Sequence, residues 1–215
     1  TKSNTAQTTA TSTSKNKTNN SNYFTDKDKD SSYDESKAST VKLSGSSASV
    51  SGDGVAVSGS TVTISKAGTY VISGESDGVQ IKVEAGDSDD VHIVLKGVTM
   101  TNTNAPISAT KAGHVYLTLA DGTTNTLSDS SSNNDEDADA VIFSKGDLTI
   151  NGSGTLNIDA KKNNGIKAND TLHITGGTYK ITAVGDAFNV NDELNITGTT
   201  MTIDADEDAV KVDND

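Results

Sequence analysis

The stretch Asn164-Gly165-Ile166-Lys167-Ala168-Asn169-Asp170-Thr171-Leu172-His173-Ile174-Thr175-Gly176-Gly177-Thr178-Tyr179-Lys180-Ile181-Thr182-Ala183 decides the fold. It holds three short alternating segments separated by polar turns. It returns downstream as Asp186-Ala187-Phe188, Leu194-Asn195-Ile196-Thr197-Gly198 and Met201-Thr202-Ile203-Asp204-Ala205. Upstream it is preceded by Asp139-Ala140-Val141, Leu148-Thr149-Ile150-Asn151-Gly152 and Leu156-Asn157-Ile158-Asp159-Ala160. The heads of the repeats, Asp139, Asn164, Asp186 and Asp208, are spaced 25, 22 and 22 residues apart. Three strands per period with no helical segment between them predict a parallel β-helix of about 22 residues per coil. Such a coil stacks equivalent residues above one another, about 4.8 Å apart.

Strand alternation assigns the faces. Inward residues are expected to include Val141, Phe143, Leu148, Ile150, Ile158, Ile166, Leu172, Ile174, Ile181, Phe188, Val190, Leu194, Ile196 and Ile203. The outward column of the first strand then reads Ile142, Lys167, Asn189, Lys211. That of the second reads Thr149, His173, Asn195.

Upstream, strand-like segments from Val41 to Leu127 are less regular and are expected to cap the amino end of the stack. The stretch Ser128 to Asp139, acidic and rich in Ser and Asn, reads as an insertion projecting from one turn. Residues 1–40 are Thr, Ser, Asn, Lys and Asp with almost no aliphatic side chains. They cannot bury enough apolar area to offset ordering entropy, so a disordered linker is expected there, with the β-helix over 41–215. Within it, Asp26-Lys27-Asp28-Lys29-Asp30 resembles the start of an EF-hand loop. Ser31 and Lys37 stand where that loop needs Gly and Glu, so the run reads as solvated charge. The chain starts without Met and stops before the next two strands of its last coil. Trimming, and a cut inside the domain, are the expectation.

All seventeen basic residues are Lys, and the net charge is −13. The surplus acid lies beyond residue 40, which argues against nucleic-acid binding. There is no Cys, and no segment approaches the roughly 18 apolar residues of a membrane span. The three His, at 92, 114 and 173, lie on different strands without zinc spacing. The acidic column Asp139, Asn164, Asp186, Asp208, with Asp137 and Asp206 beside it, is the candidate metal site. Stacked like charges repel unless a cation sits between them, and Ca²⁺ accepts six to eight hard oxygens in irregular geometry. The alternative is that turns prefer Asp and Asn, whose side chains form hydrogen-bonded ladders. Lys167, Asn189 and Lys211 are the candidate ligand-binding residues.

The strings Phe143-Ser144-Lys145-Gly146-Asp147-Leu148-Thr149-Ile150-Asn151-Gly152 and Asn164-Gly165-Ile166 through Gly177 resemble the bacterial carbohydrate-binding domain-containing β-helix family. Val91 to Met100 and Leu119 to Leu127 fit it as well. The resemblance implies a right-handed parallel β-helix, structurally akin to pectate lyases, that binds Ca²⁺ and acidic or plant-cell-wall polysaccharide. It implies an extracellular or cell-surface place on a Gram-positive bacterium. The family's repeat turn reads Asp-Asp-Gly-Ile; here only Asn164-Gly165 keeps the Gly. The expected function is non-catalytic, calcium-assisted binding of acidic polysaccharide by a monomer. A purely structural surface or adhesin module is the alternative. A polysaccharide lyase would need Lys167 or Lys211 as its base and has no Arg to orient uronates.

Overall fold

A computed structural model describes residues 23–213. Among the described residues the fold is all-β, with one helical turn, Asp26–Lys29. The strands form two curled sheets whose neighbours are parallel, apart from two hairpins at the amino end. One sheet is a single ladder. It runs from Thr61–Ile64 through Gln80–Glu84, Ile107–Lys111, Ala140–Ser144, Asn164–Ala168 and Phe188–Val190 to Val210–Val212. The other forks at the long strand Asp90–Thr101. One arm, the second ladder, continues through His114–Leu119, Leu148–Gly152, Leu172–Thr175 and Leu194–Thr197. The other arm, the third ladder, continues through Thr124–Ser128, Thr155–Ala160, Thr178–Ala183 and Thr200–Ala205.

The repeat read from the sequence sets the register. Ile166 pairs with Phe188, Ile174 with Ile196 and Ile181 with Ile203, each one repeat on. The pair Val115–Leu148 spans a longer step, which the Ser128–Asp139 insertion takes up. Parallel partners at these separations need a connection around the stack, and the intervening ladders provide it.

Alternation buries one face of each strand in a single core running from Val41 to Val190. Tyr70, Tyr179 and Phe188 are its largest fully buried side chains. Each such residue stabilises the stack by roughly 1.5–3 kcal/mol relative to exposure. The corner between the second and third ladders turns on Gly152, Gly176 and Gly198, all with positive φ. At Gly176 (φ +125°) a Cβ would come within 2.6 Å of the Gly152 carbonyl oxygen, so the rungs close only around glycine.

Three expectations need correction. The strand Ala140–Ser144 pairs Ile142 with Ile166 and Phe143 with Lys167. Ile142 therefore belongs to the core, and Phe143 takes the outward column. Phe143 is buried by Ala105 and Ala138, outside the main core. The insertion does not simply project: Asp129 and Asn133 are buried, and Ala138 folds back onto Phe143. Leu194 and Ile203 are only partly buried and Ile196 is 39% exposed, because no further described rung covers them.

The largest correction concerns the expected linker. Residues 1–22 lie outside the described residues, but 23–38 form a strap over the outer face of the second ladder. Thr25 caps the helical turn, its hydroxyl accepting from Asp28 N–H at 3.2 Å while Asp28 accepts from Thr25 N–H at 2.7 Å. Tyr33 and Ala38 pack on Val71, Val94 and Ala120. Lys96 pairs with Glu35 at 2.7 Å. The strap then enters the sheet as Ser39–Gly45.

Candidate functional site

The acidic column is where the repeat placed it, and the side chains of Asp139, Asn164 and Asp186 are engaged within the protein. Asn164 Oδ1 accepts the Asp186 backbone N–H at 3.1 Å, and Asp186 Oδ1 accepts that of Asp208 at 3.1 Å. The second oxygen of Asp186, a buried residue, accepts from Asn189 Nδ2 at 2.7 Å. Asp139 accepts the Lys167 ammonium at 2.7 Å and the Asn163 amide at 2.5 Å. Two of the expected ligand-binding residues, Lys167 and Asn189, are therefore partners of the column. The third, Lys211, lies 3.6 Å from Asp213. Asp137, Asp206 and Asp208 are exposed. Among the described residues no three His, Asp or Glu side chains converge to hold a metal ion. A calcium ion bridging Asp139 and Asp186 does not fit this arrangement: an ammonium, amides and a backbone N–H already take up those oxygens.

The outer face of the second ladder gathers a different set. Register aligns His92 with Tyr116, Tyr116 with Thr149, Thr149 with His173, and His173 with Asn195. The His residues, apparently scattered in sequence, thus share one face. The strap crosses it through polar contacts. Asp28, 2% exposed, accepts from Thr149 Oγ1 at 2.7 Å and from Thr25 Oγ1 at 2.8 Å, and its carboxylate lies 3.3 Å from His173 Nδ1. The Asp28 carbonyl accepts from Asn151 Nδ2 at 3.2 Å and Thr175 Oγ1 at 2.5 Å. Burial alone would raise the Asp28 pKa, but the bonds from Thr149 and Thr25 outweigh it and lower it. The Phe24 ring meets that of His173 edge-on, 5.3 Å between centroids.

Along the strap's flank, the residues that begin each rung make a second column. Asp90 pairs with His114, and backbone bonds carry the column on through Asp147, Thr171 and Glu193. His114 stacks on Tyr116 with centroids 4.1 Å apart and planes 11° apart. Lys27 pairs with Asp90 and lies 4.5 Å above the Tyr116 ring. Burial first, then Asp90, Asp28 and Asp147, push the Tyr116 hydroxyl up to about 12. Burial holds His92 and His114 below the ordinary imidazole value, against the nearby carboxylates. A cleft of about 470 Å³ opens here, lined by Tyr23, His114, Asp147, Thr171, His173 and Glu193 with Thr25. A smaller one of about 240 Å³ adjoins His92, Tyr116, Asp90 and Lys27. Aromatic faces beside carboxylates and hydroxyls suit a ligand with alternating C–H and O–H surfaces.

Stacked parallel strands in curled sheets define the class of fold, and the comparisons with known proteins agree with it. The fold matches a polysaccharide lyase-like protein from C. thermocellum, solved as a gadolinium derivative. The TM-score is 0.68 at 26% identity, covering 81% of this chain and 94% of that one. The chain belongs to the carbohydrate-binding domain-containing protein family, whose model matches residues 58–215. A relative of that description from Acetivibrio thermocellus is 39% identical over 128 residues, 57% of this chain. The match spans 45% of that relative's length. Among the described residues no helix is long and apolar enough to cross a membrane.

Proposed function

We propose that this chain is a non-catalytic polysaccharide-binding module, acting as a monomer outside the cell or on the surface of a Gram-positive bacterium. The glycan lies along the cleft of Tyr23, His114, Asp147, Thr171, His173 and Glu193. The observation that carries this is the cleft's direction. It crosses successive rungs at about 4.8 Å each, so a linear chain meets a polar side chain at each rung. One right-handed coil of about 22 residues per turn is the matching reading of the fold, since crossovers between parallel strands are right-handed almost without exception. Non-catalysis is supported at the proposed lyase base: the Lys167 side chain is turned onto Asp139, 2.7 Å away. Affinity electrophoresis in gels containing different polysaccharides tests the reading. At least one should retard the protein, Tyr23→Ala with His114→Ala should abolish the retardation, and no unsaturated product should form. If no polysaccharide retards it, the structural or adhesin reading takes over.

A second reading keeps calcium and an acidic glycan. Exposed Asp137, Asp206 and Asp208 favour it, as carboxylates that could share an ion with a uronate. It predicts a higher melting temperature and stronger polygalacturonate binding in calcium than in chelator. Identical values in both would remove it.

A further inference from the structure

We infer that the cleft beside the strap selects saccharides carrying free ammonium groups, that is, polymers of unacetylated amino sugars. The inference rests on the saccharide-binding reading and names its ligand class. The protein's own lysine supplies the pattern. The Lys27 ammonium sits 4.5 Å over the Tyr116 ring and pairs with Asp90, the first carboxylate of the strand-start column. The Tyr116 face and the Asp90 carboxylate therefore hold an ammonium ion, the pairing cation–π and Coulomb attraction favour. Farther along the same column stand Asp147 and Glu193, with Tyr23 and His114 as the aromatic walls. Among the described residues no Lys lines this second cleft. It sets the rings of Tyr23 and His114 and the carboxylates of Asp147 and Glu193 around one space open to a ligand.

The surroundings act in the same direction. Burial pushes the His114 imidazole below its ordinary value, which favours the neutral ring beside these carboxylates. The net charge of −13 attracts a cationic polymer and repels a polyuronate. A neutral sugar would use the ring faces and hydroxyls but leave both carboxylates without a counter-charge.

The test titrates the whole chain with three oligosaccharides of equal length: deacetylated chitosan, fully N-acetylated chitin and oligogalacturonate. The inference expects the deacetylated oligomer to bind at least tenfold tighter than the acetylated one, with a preference that falls as salt rises. Asp147→Asn with Glu193→Gln should bring that ratio to about one. Glu75→Gln with Glu136→Gln, the same charge change on remote exposed residues, should preserve it. Equal binding of the two chitin-type oligomers, or tightest binding of oligogalacturonate, overturns the inference and leaves saccharide binding standing. A preference that survives Asp147→Asn with Glu193→Gln also overturns it, because the ammonium is then held elsewhere. Failure of these oligomers and of every polysaccharide in the gels sinks the saccharide-binding reading itself.

Discussion

Asp28→Ala should release the strap. The carboxylate accepts from Thr149 Oγ1, Thr25 N–H and Thr25 Oγ1 at 2.7 to 2.8 Å, all under a surface that is 2% exposed. Alanine removes these charge-assisted bonds and leaves the fully buried Thr149 hydroxyl with His114 Nε2, at 2.9 Å, as its partner. Hydrogen bonds to a charged group contribute about 1.5–3 kcal/mol. A net loss of about 3 kcal/mol is expected for strap docking. At 1.4 kcal/mol per tenfold, the undocked population rises roughly a hundredfold. The strap can open without the core, so the melting temperature should move less than this figure suggests. The sensitive assay is trypsin cleavage after Lys27 and Lys29, followed by mass spectrometry. Cleavage there should accelerate by one to two orders of magnitude while the β core stays resistant. Unchanged cleavage at both bonds would refute the view that Asp28 anchors the strap.

Acid should act on the same contact. The Asp28 pKa is lowered on folding, so its contribution is full above the unfolded value of 3.8 and fades as pH falls through the folded one. His92 and His114 are also lowered, from 6.5, so the unfolded state takes up protons first and stability begins to decline below about pH 6.5. Melting temperatures that stay flat from pH 7 to 5 would contradict this. Tyr179→Phe should leave stability unchanged or raise it by up to about 1 kcal/mol, because the buried hydroxyl has no partner; a loss above 1 kcal/mol in urea melts would reveal a hidden one. Asn125→Leu should cost about 2–4 kcal/mol by the same melts, since it strips the acceptor from the Gly97 and Val98 N–H groups at 3.0 and 2.9 Å. A neutral result would mean that water replaces it.

The ladders were legible because alternation and period agree over successive rungs, from Leu148 to Ile203. The outward face of Ala140–Ser144 was not. Ala140, Val141, Ile142 and Phe143 are all apolar, so alternation cannot choose between two registers one residue apart. Pairing with Ile166 chooses. The acidic column was legible in position. The partners of Asp139 and Asp186, namely Lys167, Asn163 and Asn189, become visible only once the rungs stack. The strap was missed because composition measures apolar burial. This segment is held instead by polar groups, Asp28 and its carbonyl, against Thr149, Asn151 and Thr175. Its local signals were the capping pattern of Thr25 and Asp28 and the rings of Phe24 and Tyr33. The His face was also readable in principle: His92, Tyr116, Thr149 and His173 occupy equivalent positions once the Ser128–Asp139 insertion is discounted.

The most direct measurement is amide chemical-shift mapping of the isotopically labelled chain, titrated with whichever oligosaccharide it binds. The account predicts that the shifts cluster on Tyr23, His114, Asp147, Thr171, His173 and Glu193, along one flank of the strap. Shifts confined to Lys167, Asn189 and Lys211 on the first ladder would contradict it and return the binding surface to the acidic column.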